Sequence, residues 1–319
     1  MQHVARSAGV AAVVGDEPVV VGGTAWVFSR PELQGRFDYL FIDEAGQTSL
    51  ANAVAMGLSA TNLILVGDQM QLGQPMQGTH PGETGLSCLE YALHGHATIP
   101  PDRGVFLDTS FRMHPAVCRF ISGAIYEGRL RSDPETANQR ILATANARVP
   151  REAGIVFLPV AHEGCAQSSD EEVSAIEGLV KELARRQFVD KAGNPRSMTF
   201  DDILLVAPFN MQVRRLRERL GNAARVGSVD KFQGQEAPVV LVSMCASSLD
   251  EAPRGADFLL SPNRLNVAVS RAQVLAIVVA SPGLMTTRCR TIDEMRLVNL
   301  LCRLHHYSEQ ANAPKDTAA

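Results

Sequence analysis

The chain has 319 residues, enough to bury one large core or two modest ones. Hydrophobic content of 45% and charged content of 20% are those of an ordinary globular protein, and the 5% aromatic content argues against a lectin-like or antibody-like surface. A net charge of −4 excludes a polycationic nucleic-acid coat but leaves room for a locally positive groove.

The six cysteines (Cys88, Cys118, Cys165, Cys245, Cys289, Cys302) form no C-x-x-C pair, which argues against a zinc or thiol-redox site. Such thiols suit a reducing, cytoplasmic setting. The apolar stretch Gly9 to Gly15 is followed at once by Asp16-Glu17, a poor secretory signal. No apolar run is long enough to span a bilayer, so no membrane partner is expected.

In chain order, a strand is predicted at 37–42, where the apolar run Tyr39 to Ile42 ends in Asp43 and Glu44. Adjacent carboxylates at a strand end can hold Mg²⁺ and orient a water, or can simply decorate a helix start, where acids favour the dipole. A helix follows at 50–58, then a strand at 63–66 that ends in a second acidic turn, Gly67-Asp68-Gln69-Met70-Gln71. A breaker-rich loop (Gly73 to Gly85), a helix at 84–93 and Pro100-Pro101 lead to a domain division near residue 100. Residues 1–100 hold two or three strands, too few for a complete doubly wound domain.

Beyond the division, helices are predicted at 115–126, 170–187, 210–220, 263–272 and 292–306, and strands at 155–158, 203–207, 239–244 and 274–279. Alternation at this spacing implies α/β architecture with a mostly parallel sheet, whose ligands sit beyond the carboxyl ends of strands. Arg112 precedes a helix-opening Pro115, and its planar guanidinium suits bidentate phosphate contact. His114 reads as a hydrogen-bonded structural histidine. Gly234, between two glutamines, permits close backbone approach to a ligand. Arg264 and Arg271 are seven apart and share a helix face, solvated or functional. Arg214, Arg215, Arg217 and Arg219 flank the apolar stripe Val213, Leu216 and Leu220, as a solvent face first and a nucleic-acid rim second. Residues 308–319 read as a frayed tail.

Five ordered motifs (DEAGQ, GDQMQL, SFRMHP, VGSVDKFQGQE and NRLNVAVSRA) together resemble the motor motifs of superfamily-one helicases over roughly residues 20–305. The subgroup resembled is the nonsense-mediated-decay and Dna-two type, which moves 5′ to 3′ on single strands. Tracts around Gly78 and Asp102 are similar to bacterial helicases fused to a RecB-like nuclease. The resemblance implies RecA-like parallel sheets: one truncated lobe over 1–100 and one complete RecA-like domain over 101–307.

It also implies ATP and Mg²⁺ as cofactors and single-stranded DNA or RNA as partner. By resemblance Asp43 holds Mg²⁺ through water, Glu44 orients the attacking water and Gln71 senses γ-phosphate. Phe111, where the family usually has Tyr, stacks on adenine. Arg112 and Arg271 are arginine fingers meeting γ-phosphate across the domain cleft, and Gly234 and Glu236 touch phosphate and ribose. Pro208, Asn210 and Ser228 face the nucleic-acid backbone.

Besides Phe111, two features depart from the family. Gln-Leu-Gly-Gln-Pro carries one extra residue before Pro75, and no G-x-x-x-x-G-K-[ST] phosphate loop occurs in the 319 residues. The expectation is an ATP-dependent helicase segment, inactive alone, whose partners include the amino-terminal part of the same protein or a nuclease domain. The competing reading is a non-catalytic module that binds nucleic acid or a partner. A dinucleotide oxidoreductase lacks its G-x-G-x-x-G and fits poorly.

Overall fold

Residues 14, 17–74, 78, 80–144 and 147–310 are described by the computed structural model. Two compact units divide the chain, Met1–Val105 and Phe106–Ala319. Pro75, Thr79 and the tail from 311 onward lie outside the described residues.

The first unit is built on two parallel strands, β1 (Phe37–Ile42) and β2 (Ala60–Leu65), in register from Phe37 with Ala60 to Ile42 with Leu65. Helix α1 (Leu50–Gly57) links them. Ser49 starts it, its hydroxyl accepting from Asn52 N at 3.1 Å. Helix α2 (Cys88–Leu93) opens with a capping box: Ser87 accepts from Glu90 N at 3.1 Å and Glu90 from Ser87 N at 2.8 Å. Leu40 and Ile42 point into a core with Phe28, Met56 and Leu89. The alternate residues Tyr39 and Phe41 are 60% and 65% exposed, so only one face of this sheet is packed within the unit.

The second unit begins with α3 (Pro115–Ile125) and continues through β3 (Gly154–Pro159), α4 (Asp170–Leu183), β4 (Ile203–Val206), α5 (Asn210–Leu220) and β5 (Arg225–Gly227). It is completed by β6 (Ala237–Ser243), α6 (Pro262–Ser270), β7 (Ala272–Ala280) and α7 (Ile292–Gln310). The five strands form one all-parallel sheet in the order β5-β4-β6-β7-β3. Strand β6 is buried along its whole length and β7 along all but Gln273. This explains why both read as near-continuous apolar runs. Leu179, Leu183, Leu216, Leu241 and Ile277 meet in one core cluster.

Helix α5 turns Val213 and Leu216 into that core, while Arg214, Arg215 and Arg219 pair outside with Glu218, Asp170 and Glu177. Its arginines are a solvated, charge-balanced face.

Three expectations change. The helix predicted to reach 187 stops at Leu183, because Gln187–Val189 pairs antiparallel with Pro195–Ser197 across a turn in which Asp190 accepts from Asn194 N at 2.9 Å. Strand β5, three residues long, was not foreseen. The expected tail begins too early. Ser308 is inside α7 and 2% exposed, and its hydroxyl accepts from Phe157 N at 2.9 Å, so 308–310 are helix docked on the sheet.

Candidate functional site

In the first unit the two acidic turns cross backbone to backbone. Ala45 N donates to Val66 O and Val66 N to Ile42 O, both at 2.9 Å. A Cβ on Gly46 would meet Asp68 O at 2.7 Å, and one on Gly67 would meet Ala45 N at 2.8 Å, so only glycine allows this approach. Glu44 sits in the left-handed region at φ 51°, a conformation that costs a non-glycine residue about 1–2 kcal/mol. Asp43 accepts from Glu44 N at 2.9 Å through one oxygen, and both carboxylates are exposed. Gln71 donates to Asp68 at 2.9 Å. The crossing therefore presents Asp43, Glu44, Asp68 and Gln71 on one rigid loop pair at the carboxyl ends of β1 and β2.

In the second unit the predicted residues divide between opposite ends of the sheet. At the amino ends of β6 and β7, Arg112 is ion-paired through Nε to Glu236, and its Nη1 donates to Ser270 O at 3.3 Å. Gln273 donates to the other oxygen of Glu236 at 2.7 Å. Arg271 ends α6, is 4% exposed, and its carbonyl accepts from Ala237 N at 3.1 Å. Gly234, at φ 74°, turns the chain into Glu236. Phe111 is 66% exposed, and Lys191 donates to its carbonyl.

Arg112, Glu236 and Arg271 thus stand at amino ends of strands, unlike Asp43 and Asp68, which follow carboxyl ends. Helix α6 runs antiparallel to the strands and delivers its last residue to the amino end of β7.

Burial pushes the Glu236 carboxyl up. Hydrogen bonds from Arg112 and Gln273, with the charges of Arg112 and Lys191, outweigh that and hold it below its ordinary value. His114 accepts from Ala116 N at 3.0 Å as the cap of α3, and burial holds its pKa below the usual value. It is a structural histidine.

At the carboxyl ends of β4 and β5 stand the other three positions. Pro208 follows β4, Asn210 opens α5 exposed, and Ser228 follows β5. Beneath them lies a buried polar network. Glu172 accepts from Ser243 Oγ at 2.5 Å and Cys245 N at 3.0 Å, and its Oε1 faces His162 Nε2 at 3.0 Å. His162 Nδ1 faces Ser247 Oγ at 2.8 Å, which accepts from Cys165 N at 3.0 Å. An imidazole carrying its proton on Nε2 satisfies every one of these atoms. Gln212 of α5 joins in, donating to Ser243 Oγ at 2.8 Å, and so ties the first turn of α5 to the end of β6.

Gln273 could have been noticed beside Arg271. Lys191, Gln139 (which donates to Arg112 O at 3.1 Å) and the His162–Glu172 network carry no sequence signal.

Among the described residues no group of three or more His, Cys, Asp or Glu is placed to hold a metal, and no helix is long and apolar enough to cross a membrane. The exposed carboxylates of the first unit are hard oxygen donors of the kind Mg²⁺ takes, one or two at a time, beside water and phosphate.

The AAA domain family profile matches residues 86–283. DNA-binding protein SMUBP-2 of Rattus norvegicus is 30% identical over 248 residues, covering 74% of this chain and 24% of that protein. The regulator of nonsense transcripts 1 homolog of Drosophila melanogaster is 28% identical over 261 residues, covering 78% and 21%. The DNA replication ATP-dependent helicase/nuclease JHS1 of Arabidopsis thaliana is 27% identical over 314 residues, covering 93% and 22%. The chain spans about a quarter of the length of the curated relatives it matches.

Proposed function

We propose, for a chain that belongs to the AAA domain family and to its ATP-dependent helicases, that these residues form a motor segment moving 5′ to 3′ on single-stranded DNA or RNA. One observation carries the reading. Two separate residue sets occupy opposite ends of one parallel sheet, and α6 ends at the one that holds Arg271. At about 3.3 Å per residue, the seven residues of β6 separate the ends by roughly 20 Å. A motor needs two ligands that do not compete and a rigid body between them.

In this proposal Asp43, Glu44 and Gln71 are the nucleotide residues of the first unit, and Arg112, Arg271 and Glu236 are those of the second. Asp43 would hold Mg²⁺, which supplies charge neutralisation on the phosphates when bound. Glu44 orients the attacking water, and the exposed ring of Phe111 offers a flat face for adenine. Arg112 is held in reserve by Glu236 and leaves that carboxylate to meet phosphate. Arginines in such a role are worth about 10³–10⁵ in rate. Pro208, Asn210 and Ser228 contact the strand backbone with little base preference. The unpaired thiols agree with a cytoplasmic setting.

The 319 residues contain no G-x-x-x-x-G-K-[ST], the loop whose backbone N–H groups and lysine grip the β- and γ-phosphates. We therefore propose that the chain alone holds nucleic acid and turns over no ATP, which is where the binding-module reading applies. The test is phosphate release with ATP, Mg²⁺ and a single-stranded oligonucleotide. Wild type and Glu44→Gln should both match the no-protein background. Turnover in the wild type that Glu44→Gln abolishes would overturn the inactivity. A chain that binds neither single-stranded DNA nor RNA would overturn the motor reading itself.

A further inference from the structure

Phe258, in the short helix Gly255–Leu259, carries two guanidinium groups: Arg254 Cζ lies 3.9 Å from the ring centroid and Arg264 Cζ 4.2 Å. Two cationic planes cannot share one face of a ring at these distances, so they cover opposite faces. The ring packs against Phe209, with centroids 5.3 Å apart, and borders a cavity also lined by Pro208 and Val229. Phe258 and its two arginines therefore stand beside the Pro208, Asn210 and Ser228 end of the sheet.

The two arginines differ in charge balance. Arg264 is partly buried and paired with Asp230 at 3.5 Å. Arg254 is exposed, and no carboxylate lies within 4.0 Å of it among the described residues. Several other exposed arginines of this unit are ion-paired, Arg214 with Glu218, Arg215 with Asp170, Arg219 with Glu177 and Arg290 with Asp250, whereas Arg254 rests on an aromatic ring instead. Arg254 is thus a cation held against the face of an aromatic ring, with no carboxylate partner among the described residues. Stacking on an aromatic face leaves the guanidinium edge, with its N–H donors, turned outward. Because both faces of Phe258 are covered, a nucleobase cannot stack there. What suits the exposed edge is a phosphodiester oxygen pair.

We propose that Arg254, braced by Phe258, is a phosphate contact for the strand that passes Pro208, Asn210 and Ser228. The proposal rests on the nucleic-acid reading above and extends it to a residue outside the five motifs.

The test is fluorescence anisotropy of a labelled oligothymidylate with the full chain across a salt series. For single strands each phosphate contact contributes about 0.7 to the slope of log K against log salt. Arg254→Gln should lower the slope by about that amount and weaken binding several-fold at low salt, with an unchanged circular dichroism spectrum. Arg254→Lys should restore the slope. Phe258→Leu should keep the slope but weaken binding, since the charge stays and its brace is lost. If Arg254→Gln leaves slope and affinity at the wild-type values while Asn210→Asp loses binding, the Arg254 assignment is wrong and the motor reading stands. If the wild-type chain binds neither the oligothymidylate nor an oligouridylate, the motor reading falls and takes this assignment with it.

Discussion

Glu172→Ala removes the acceptor for three donors at once: His162 Nε2, Ser243 Oγ and Cys245 N. The side chains of His162 and Glu172 are both 0% exposed, so no water replaces the carboxylate without reorganisation. Each orphaned buried donor costs about 1–3 kcal/mol, and relief of the buried charge returns part of that. The net loss expected is about 3–5 kcal/mol. That is a large share of the roughly 5–15 kcal/mol that holds a domain folded.

Glu172→Gln separates shape from charge. Its carbonyl oxygen can serve Ser243 and Cys245, and its amide can donate to His162 Nε2 if the imidazole proton moves to Nδ1 and is donated to Ser247. One hydroxyl is then left without an acceptor, so the cost falls to about 1–2 kcal/mol. Urea unfolding followed by far-ultraviolet circular dichroism measures both variants. Because Gln212 shares Ser243 with this network, the alanine variant should also bind oligonucleotide more weakly through a loosened first turn of α5. An alanine variant within about 1 kcal/mol of wild type, or a glutamine variant as costly as alanine, would refute the reasoning.

Glu236 makes the pH prediction. Its folded pKa is depressed, so the stability it contributes is present above its unfolded pKa and lost as pH falls through the folded value. Arg112→Gln removes the strongest opposing partners while burial remains, and should move the Glu236 midpoint upward in a carbon-13 carboxyl titration; an unmoved midpoint would contradict the pairing. Gly46→Ala places a Cβ 2.7 Å from Asp68 O, so the crossing of the two acidic turns must shift, at about 1–3 kcal/mol. Hydrogen exchange at the Ala45 amide should accelerate in that variant, and wild-type protection there would show that the crossing is loose.

The parallel strands of the second unit were legible because burial on both faces leaves their sequences apolar throughout, as in Val239–Val242 and Val274–Val279. Arg225–Gly227 was not, because three residues beside an arginine carry no period. The overrun at 183–187 has a similar cause. Arg186 reads as helix surface, yet it is 1% exposed, paired with Glu182, and donates to Val149 O.

For the candidate site, ordered motifs picked out residues to consider but not the partners those residues have in the fold. Arg112 and Glu236 are 124 positions apart, and their ion pair depends on how the segment before α3 docks at the amino ends of β6 and β7, where His114 N donates to Gln273 O at 2.7 Å. The same holds for His162 and Ser247, 85 apart, in a network that only folding assembles.

The second unit holds its proposed nucleic-acid residues and its proposed nucleotide residues at opposite ends of one sheet. Hydrogen exchange of the full chain with and without a single-stranded oligonucleotide tests it directly. The account predicts protection in peptides covering 208–212, 226–230 and 252–258, with 110–114 and 234–237 unchanged. Protection centred on 110–114 and 234–237, with the other segments unmoved, would contradict it.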